Sequence, residues 1–140
     1  MDMDVDVQDI ERLLTDFAWF ADRGDGSSLS DLFLPGAVLK VGESRLEGRR
    51  AIADDCYARA REPGRKTRHV WSNLRLESLV NGVLRTNAIQ QTIETNDISG
   101  LTSMRVNDII DTFERDSESR WRIASRHIDR QMLTNWRTAE

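Results

Sequence analysis

The chain has 140 residues, of which 39% are hydrophobic and 31% are charged, and its formal net charge at pH 7 is −4. This length and balance predict one globular domain over residues 1–140, because a chain of this size can bury a core and is not polar enough to remain disordered. They argue against nucleic acid as a main partner, since the charge is negative and no basic stripe stands out.

The cysteine content and the N-terminal residues bear on the cellular compartment. Cys56 is the one cysteine, so no internal disulfide can form, and a reducing cytoplasm is the expected location. The first four residues alternate Met and Asp, and no apolar run follows them, which argues against a signal peptide or a membrane span. We therefore expect a cytoplasmic protein that has no membrane partner.

Three helices are predicted in the first half of the chain. Apolar residues recur at steps of three and four in the first helix, Asp6 can cap its N-terminus, and Gly24 can end it. Pro-Gly pairs end the second and third helices. The predicted helices span residues 6–23, 26–33 and 48–61, and a short hairpin of residues 37–41 and 44–47 precedes the third.

The second half is predicted to form four long strands. Turn signals such as Asn81-Gly82 and the polar turn 116–119 separate them. Because helices come first and strands follow through tight turns, the pattern favours an antiparallel sheet with helices on one face. A strongly curved sheet covered in this way would leave a cone with an apolar interior. The predicted strands span residues 67–79, 83–95, 102–115 and 120–132.

His69 is the first candidate for chemistry. It lies where a loop enters a predicted strand, and a histidine there can face a pocket and exchange a proton near neutral pH. Asp22, in the last turn of the first helix, is the candidate partner, because a negative charge at that helix end conflicts with local rules and such conflicts are more common at functional sites. The pattern leaves an alternative open, in which His69 bonds to a loop carbonyl at the rim and Asp22 is a solvated carboxylate.

Other residues are candidates for the lining of a pocket. Aromatic side chains at helical spacing either line a cavity or belong to the core, and alternation along the last strand predicts which of its residues face inward. Polar residues on one face of the strand 102–115 would be typical of a binding site, but the pattern does not decide which face is the inner one. The candidates are Phe17, Trp19, Phe20, Trp71, Asn107, Asp111, Ser125 and His127.

No metal or cofactor is expected. The sequence has no HxxxH, CxxC or EF-hand spacing and no glycine-rich phosphate loop.

Five segments in order resemble the SnoaL-like group of the NTF2-like (cystatin-like α+β) superfamily. The resemblance implies an α+β fold, a cone in which three N-terminal helices pack on a strongly curved, mostly antiparallel sheet. The segments are FAWFADRGD (17–25), LFLPGAV (32–38), LEGRRAI (46–52), TRHVWSNL (67–74) and RWRI (120–123).

The resemblance also implies a function. In similar lyases, an Asp that ends the first helix and a His that opens this strand form an acid–base pair, which corresponds here to Asp22 and His69. This favours a cofactor-independent lyase or isomerase, of the dehydratase type, that acts on a small apolar cyclic molecule. The alternative is a non-catalytic ligand-binding or assembly domain of the same fold, like the small subunit of ring-hydroxylating dioxygenases. Relatives often pair through the outer sheet face, which implies a homodimer, with a trimer as the alternative.

Overall fold

The computed structural model describes residues 5–137, which form three helices and six strands. No helix among these residues is long and apolar enough to cross a membrane. In chain order the elements are α1 (Val7–Arg23), α2 (Gly26–Ser30), β1 (Phe33–Val41), β2 (Ser44–Glu47), α3 (Gly48–Ala60), β3 (Arg65–Val80), β4 (Val83–Asn96), β5 (Leu101–Arg115) and β6 (Trp121–Arg137).

The first helix has the predicted caps and the predicted apolar face. The Asp6 carboxylate accepts a hydrogen bond from the backbone N–H of Gln8 at 2.9 Å, and Gly24 ends α1 in the left-handed conformation with a φ of 67°. One face of α1 is buried, and the helix packs across β3 and β6. The buried residues are Ile10, Leu13, Leu14, Phe17 and Ala18.

The second helix is shorter than predicted. It ends at Ser30, whereas the pattern of apolar residues predicted a helix that extends to Phe33. Phe33 instead opens β1 and pairs with Ile123, whose backbone N–H donates to the carbonyl oxygen of Leu32 at 2.9 Å. A partner in the sheet therefore outweighs a local helical pattern.

The sheet contains six strands in the order β2-β1-β6-β5-β4-β3 and is open, with β2 and β3 at its edges. Neighbouring strands are antiparallel except β1 and β6, which run parallel. Helix α3 covers β1 and β2, while α1 covers β3 and β6. The predicted α+β class is therefore confirmed, with helices on one face of a mostly antiparallel sheet.

A bulge in β6 changes which of its residues face the helices. Alternation from Ile123 predicts that Ser125 and His127 share its buried face. The pairing with β5 leaves Ala124 without an opposite residue, so the alternation reverses after it. Arg126 is consequently buried, with 1% of its surface exposed, and Ser125 and His127 lie on the opposite face. The predicted inward orientation of Ser125 and His127 is therefore wrong.

Arg126 forms an ion pair inside the protein. Its Nε and Nη2 donate to the two carboxylate oxygens of Asp111, each at 2.8 Å, and both side chains are 1% exposed. Its guanidinium carbon also lies 4.2 Å from the ring centroid of Phe17 on α1. Because both hydrogen bonds of the fork are made, the pair is internally satisfied, but either member alone would be an uncompensated buried charge.

Asp111→Leu is expected to lower the free energy of unfolding by about 3–5 kcal/mol, because it leaves the guanidinium of Arg126 buried without its partner. The double variant Asp111→Leu with Arg126→Met should recover most of that loss, since it removes both charges. Urea unfolding followed by circular dichroism measures both values.

The exposed pair of Arg85 and Glu77, with Nε and Oε2 2.6 Å apart, is the matched control. Glu77→Leu should cost at most about 1 kcal/mol, because exposed ion pairs contribute little. If Asp111→Leu lowers the free energy of unfolding no more than Glu77→Leu does, the expected penalty for leaving Arg126 buried without its partner is absent.

Candidate active site

A cavity of about 330 Å³ lies between the inner face of the sheet and the helices. Its lining is divided. The helices, β1 and Ile128 of β6 supply an apolar wall, and β3, β4 and β5 supply a polar one, to which Asp55 and Arg59 of α3 add. The apolar wall contains Phe17, Ala21, Leu29, Leu39, Ile52, Cys56 and Ile128. The polar wall contains Thr67, His69, Gln90, Thr92, Glu94, Arg105 and Asn107.

Asp22 and His69 meet beside this cavity. The Nδ1 atom of His69 is 2.5 Å from Oδ1 of Asp22, and the backbone N–H of His69 donates to Oδ2 at 3.0 Å. The Thr67 hydroxyl donates to Oδ1 at 3.1 Å. The Asp22 side chain is 4% exposed and that of His69 is 15% exposed, so the contact is shielded from bulk water.

The end of α1 lies close to the end of α3 at Gly24, a position that only glycine fits. A Cβ atom at Gly24 would lie 2.5 Å from the Cβ of Ala60 on α3, and the positive φ of Gly24 is one that other residues rarely adopt. Gly24 thus permits the close approach of the two helix ends beside the last turn of α1, which carries Asp22.

The surroundings of Asp22 favour its charged form. Burial by itself raises the pKa of Asp22, but the hydrogen bonds from the His69 ring, the His69 backbone and the Thr67 hydroxyl outweigh it. The net effect lowers the pKa below its ordinary value of 3.8. A carboxylate of this kind fixes the Nδ1–H tautomer of the histidine and leaves Nε2 as the proton acceptor. Nε2 has no hydrogen-bond partner among residues 5–137, and His69 lines the cavity.

Ion pairs form part of the polar wall. Glu94 accepts from Arg105 and lies against Arg65, with each nitrogen 3.2 Å from the same Oε1 atom. Arg65 also lies 3.4 Å from Glu62. These charges compensate each other, so the wall is polar without a strong net sign. Within the described part of the chain, no group of three or more His, Cys, Asp and Glu side chains could hold a metal ion.

Cys56 belongs to the apolar wall and is 7% exposed. Burial, followed by the negative charges of Asp55 and Asp25, raises the pKa of its thiol above the ordinary value.

Two of the residues predicted to line a pocket do so. Phe17 and Asn107 are both 4% exposed and both contact the cavity. The buried face of β5 is the one that carries Asn107 and Asp111, which answers the question that the sequence left open. Asp111 lies on that face but is engaged by Arg126 and does not line the cavity.

The other predicted aromatic residues lie elsewhere. Trp19 is 55% exposed, and the guanidinium carbon of Arg23 stacks 3.3 Å from its ring centroid, so its predicted place in the pocket is wrong. Phe20 and Trp71 pack against the hydrophobic core, and the Trp71 indole donates to the hydroxyl of Thr15 at 3.0 Å.

Gln90 and Thr92 line the cavity but were not predicted from the sequence. Both are 2% exposed and lie on the inner face of β4. The outward face of the same strand carries Ile89 and Ile93, so hydropathy alone points to the wrong side.

The chain is similar to known families and structures. A family model described as "SnoaL-like domain" matches residues 5–127. A comparison with curated proteins finds no match. The solved structures that resemble this chain have low sequence identity to it, so the resemblance shows that they share its fold.

Three solved structures illustrate the likeness. A scytalone dehydratase-like protein from Novosphingobium aromaticivorans is 17% identical with a TM-score of 0.82, and the match covers 95% of this chain and 89% of that one. A hexachlorocyclohexane dehydrochlorinase, LinA type 2, is 15% identical with a TM-score of 0.84, covering 94% and 89%. Aln2 from a Streptomyces species is 22% identical with a TM-score of 0.74, covering 89% of each chain.

The lowered pKa of Asp22 predicts a pH-dependent contribution to stability. Because the folded pKa lies below the unfolded value, the carboxylate stabilises the folded state above that value, and the stabilisation is lost as pH falls through the folded pKa. The difference in free energy of unfolding between wild type and Asp22→Asn should therefore be larger at about pH 5 than at about pH 3.

Chemical denaturation at a series of pH values measures this difference. Asp31→Asn, at an exposed position, controls for the loss of a carboxylate as such. A difference for Asp22→Asn that stays constant as the solution is acidified would contradict the assignment of hydrogen bonds to a charged Asp22.

Proposed function

The chain belongs to the SnoaL-like domain family, and from that premise we propose that it is a cofactor-independent lyase or isomerase. The observation that carries the proposal is the contact between Asp22 and His69 at a cavity, where Nε2 of His69 is available to a bound molecule. Solved structures of the same fold include proteins described as a dehydrochlorinase and as scytalone dehydratase-like, which fits a lyase-type reaction.

His69 is the general base in the proposed reaction. Its Nε2 takes a proton from carbon or oxygen of the bound molecule, and the Asp22 carboxylate stabilises the imidazolium that forms. In a dehydration the imidazolium then gives the proton to a departing hydroxyl group, which leaves as water while a C=C bond forms. In an isomerisation it returns the proton to a different carbon. General acid–base catalysis of this kind contributes about 10²–10⁴-fold in rate.

The cavity supports a small cyclic substrate of largely apolar surface. A volume of about 330 Å³ lies at the small end of ligand pockets and has room for a substituted ring. The apolar wall would contact the ring, and the polar wall would contact its oxygen substituents. We place the reaction in the cytoplasm, as the free thiol of Cys56 favours.

The outer face of the sheet supports self-association. Large apolar side chains are exposed there on three strands, namely Val70 at 49%, Ile93 at 39% and Met132 at 61%. Exposed apolar residues on one sheet face are typical of interfaces between subunits. The proposed assembly is a homodimer through this face.

His69→Gln is expected to lower the rate of dehydration of 3-hydroxycyclohexanone, a probe of the proposed substrate class, by about 10²–10⁴-fold, because it removes the base. Asp22→Asn should also lower the rate, since the imidazolium loses its counter-charge. The release of 2-cyclohexenone, followed by its ultraviolet absorbance, measures the rate.

His127→Gln is the matched control. His127 is the second of the two histidines and lies on the opposite face of the sheet, so its substitution should leave the rate unchanged. If the wild-type protein binds cyclic ketones but turns over none of them, the result would favour the alternative hypothesis of a non-catalytic ligand-binding or assembly domain.

Static light scattering after size-exclusion chromatography should give the mass of a dimer, twice the chain mass of 16.1 kDa. Val70→Glu with Met132→Glu should shift the protein to a monomer by placing charge in the interface. A wild-type monomer would overturn the dimer, and a trimer would show that the contact is not two-fold.

A further inference from the structure

We propose that the side-chain amides of Gln90 and Asn107 form a binding site for one oxygen atom of the substrate, which makes carbonyl-bearing rings the substrate class. The role of this site in the reaction rests on the proposed function, whereas the site itself is inferred from separate observations.

The first observation is that both amides are enclosed and unused. Gln90 is 2% exposed and Asn107 is 4% exposed, and both line the cavity. Neither side chain makes a hydrogen bond to any other residue in the range 5–137. Among residues 5–137, the side-chain polar atoms that are fully buried without a hydrogen-bond partner belong to Thr86 and Arg122. The amide atoms of Gln90 and Asn107 are not among them, so these amides open onto the cavity. Because these amides face the cavity and bond to no other described residue, their N–H groups are available to a ligand that accepts from them.

The second observation is their position relative to the base. Gln90 lies directly opposite Asn107 in the pairing of β4 with β5, so their side chains are neighbours on one face. Thr92, two residues along the same face, lies opposite His69. Gln90 is thus the diagonal neighbour of His69, at a Cα separation of about 7–8 Å. That spacing allows His69 and the amide pair to reach different atoms of one ring.

The chemistry of proton abstraction explains why two N–H donors are useful there. When Nε2 of His69 takes a proton from the carbon next to a carbonyl, the C–H electron pair forms a C=C bond and the carbonyl π electrons move to oxygen. The oxygen then carries negative charge, which amide N–H groups stabilise in a water-poor site. Collapse of the enolate expels a β-hydroxyl group, which leaves as water with the proton from His69, and an enone remains.

The neighbouring cations do not offer an equivalent site. Arg105 lies opposite Thr92, but it is engaged by Glu94 at 3.2 Å and by the Ser103 hydroxyl at 3.5 Å. Apart from the single hydroxyl of Thr92, the amides are therefore the side-chain donors on this part of the wall that no other residue in the range 5–137 engages. A halogenated or purely hydrocarbon ring would leave them without partners, which disfavours such rings.

Two ring compounds that differ by one oxygen test the site. Pentafluorophenol is ionised at neutral pH and mimics an enolate, while pentafluorobenzene lacks the oxygen. Gln90→Met and Asn107→Leu should each weaken pentafluorophenol binding by about tenfold to a hundredfold, because each removes a hydrogen bond to a charged oxygen. Binding of pentafluorobenzene should be unchanged, and fluorine NMR titration measures both.

Gln91→Met is the matched control, because Gln91 is the next residue of β4 and is exposed on the other face. It should leave the affinity for both probes unchanged. Gln90→Glu keeps the size and polarity of the side chain and should weaken pentafluorophenol binding further by repulsion. Unchanged pentafluorophenol affinity in Gln90→Met, Asn107→Leu and Gln90→Glu, with pentafluorobenzene still bound, would overturn the site.

The two proposals fail in different ways. If the variants lose pentafluorophenol affinity while the wild type dehydrates no cyclic hydroxyketone, the oxygen site stands and the catalytic function falls. If dehydration is dependent on His69 but insensitive to Gln90→Met and Asn107→Leu, the catalytic function stands and the oxygen site falls.

Discussion

The hydrogen bonds that Asp22 accepts join the end of α1 to the start of β3, and the arrangement of the cavity depends on that join. A carboxylate in the last turn of a helix faces the negative end of the helix dipole, so it needs compensation from elsewhere. The Thr67 hydroxyl, the His69 backbone and the His69 ring supply it. The Asp22 carboxylate therefore links α1 to β3 by hydrogen bonds and orients the His69 ring toward the cavity.

The inner face of the sheet changes character along its strands. On β4, Leu84 and Ala88 pack in the hydrophobic core, whereas Gln90 and Thr92 line the cavity. On β5, Phe113 belongs to the core, and Asn107, further back along the strand, belongs to the cavity. One end of the sheet thus stabilises the fold by apolar burial, and the other end keeps polar groups available for a ligand.

Local patterns predicted the elements well, and long-range pairing explains where they did not. The turn between β3 and β4 follows from Asn81 and Gly82, whose positive φ values of 52° and 77° suit a tight hairpin. The end of α2 and the orientation of His127 depend on how β6 pairs with β1 and β5. Because these strands are far apart in the sequence, local patterns could not predict either feature. The proximity of Asp22 and His69, 47 residues apart, was expected from family resemblance and from an unfavourable charge rather than from periodicity.

The burial of Cys56 has a consequence for the kinds of molecule that the cavity can hold. A thiol whose pKa is raised remains protonated at neutral pH, and the protonated form is a poor nucleophile. Electrophilic compounds, including α,β-unsaturated ketones that alkylate exposed thiolates by conjugate addition, should therefore react more slowly with this sulfur than with an exposed cysteine.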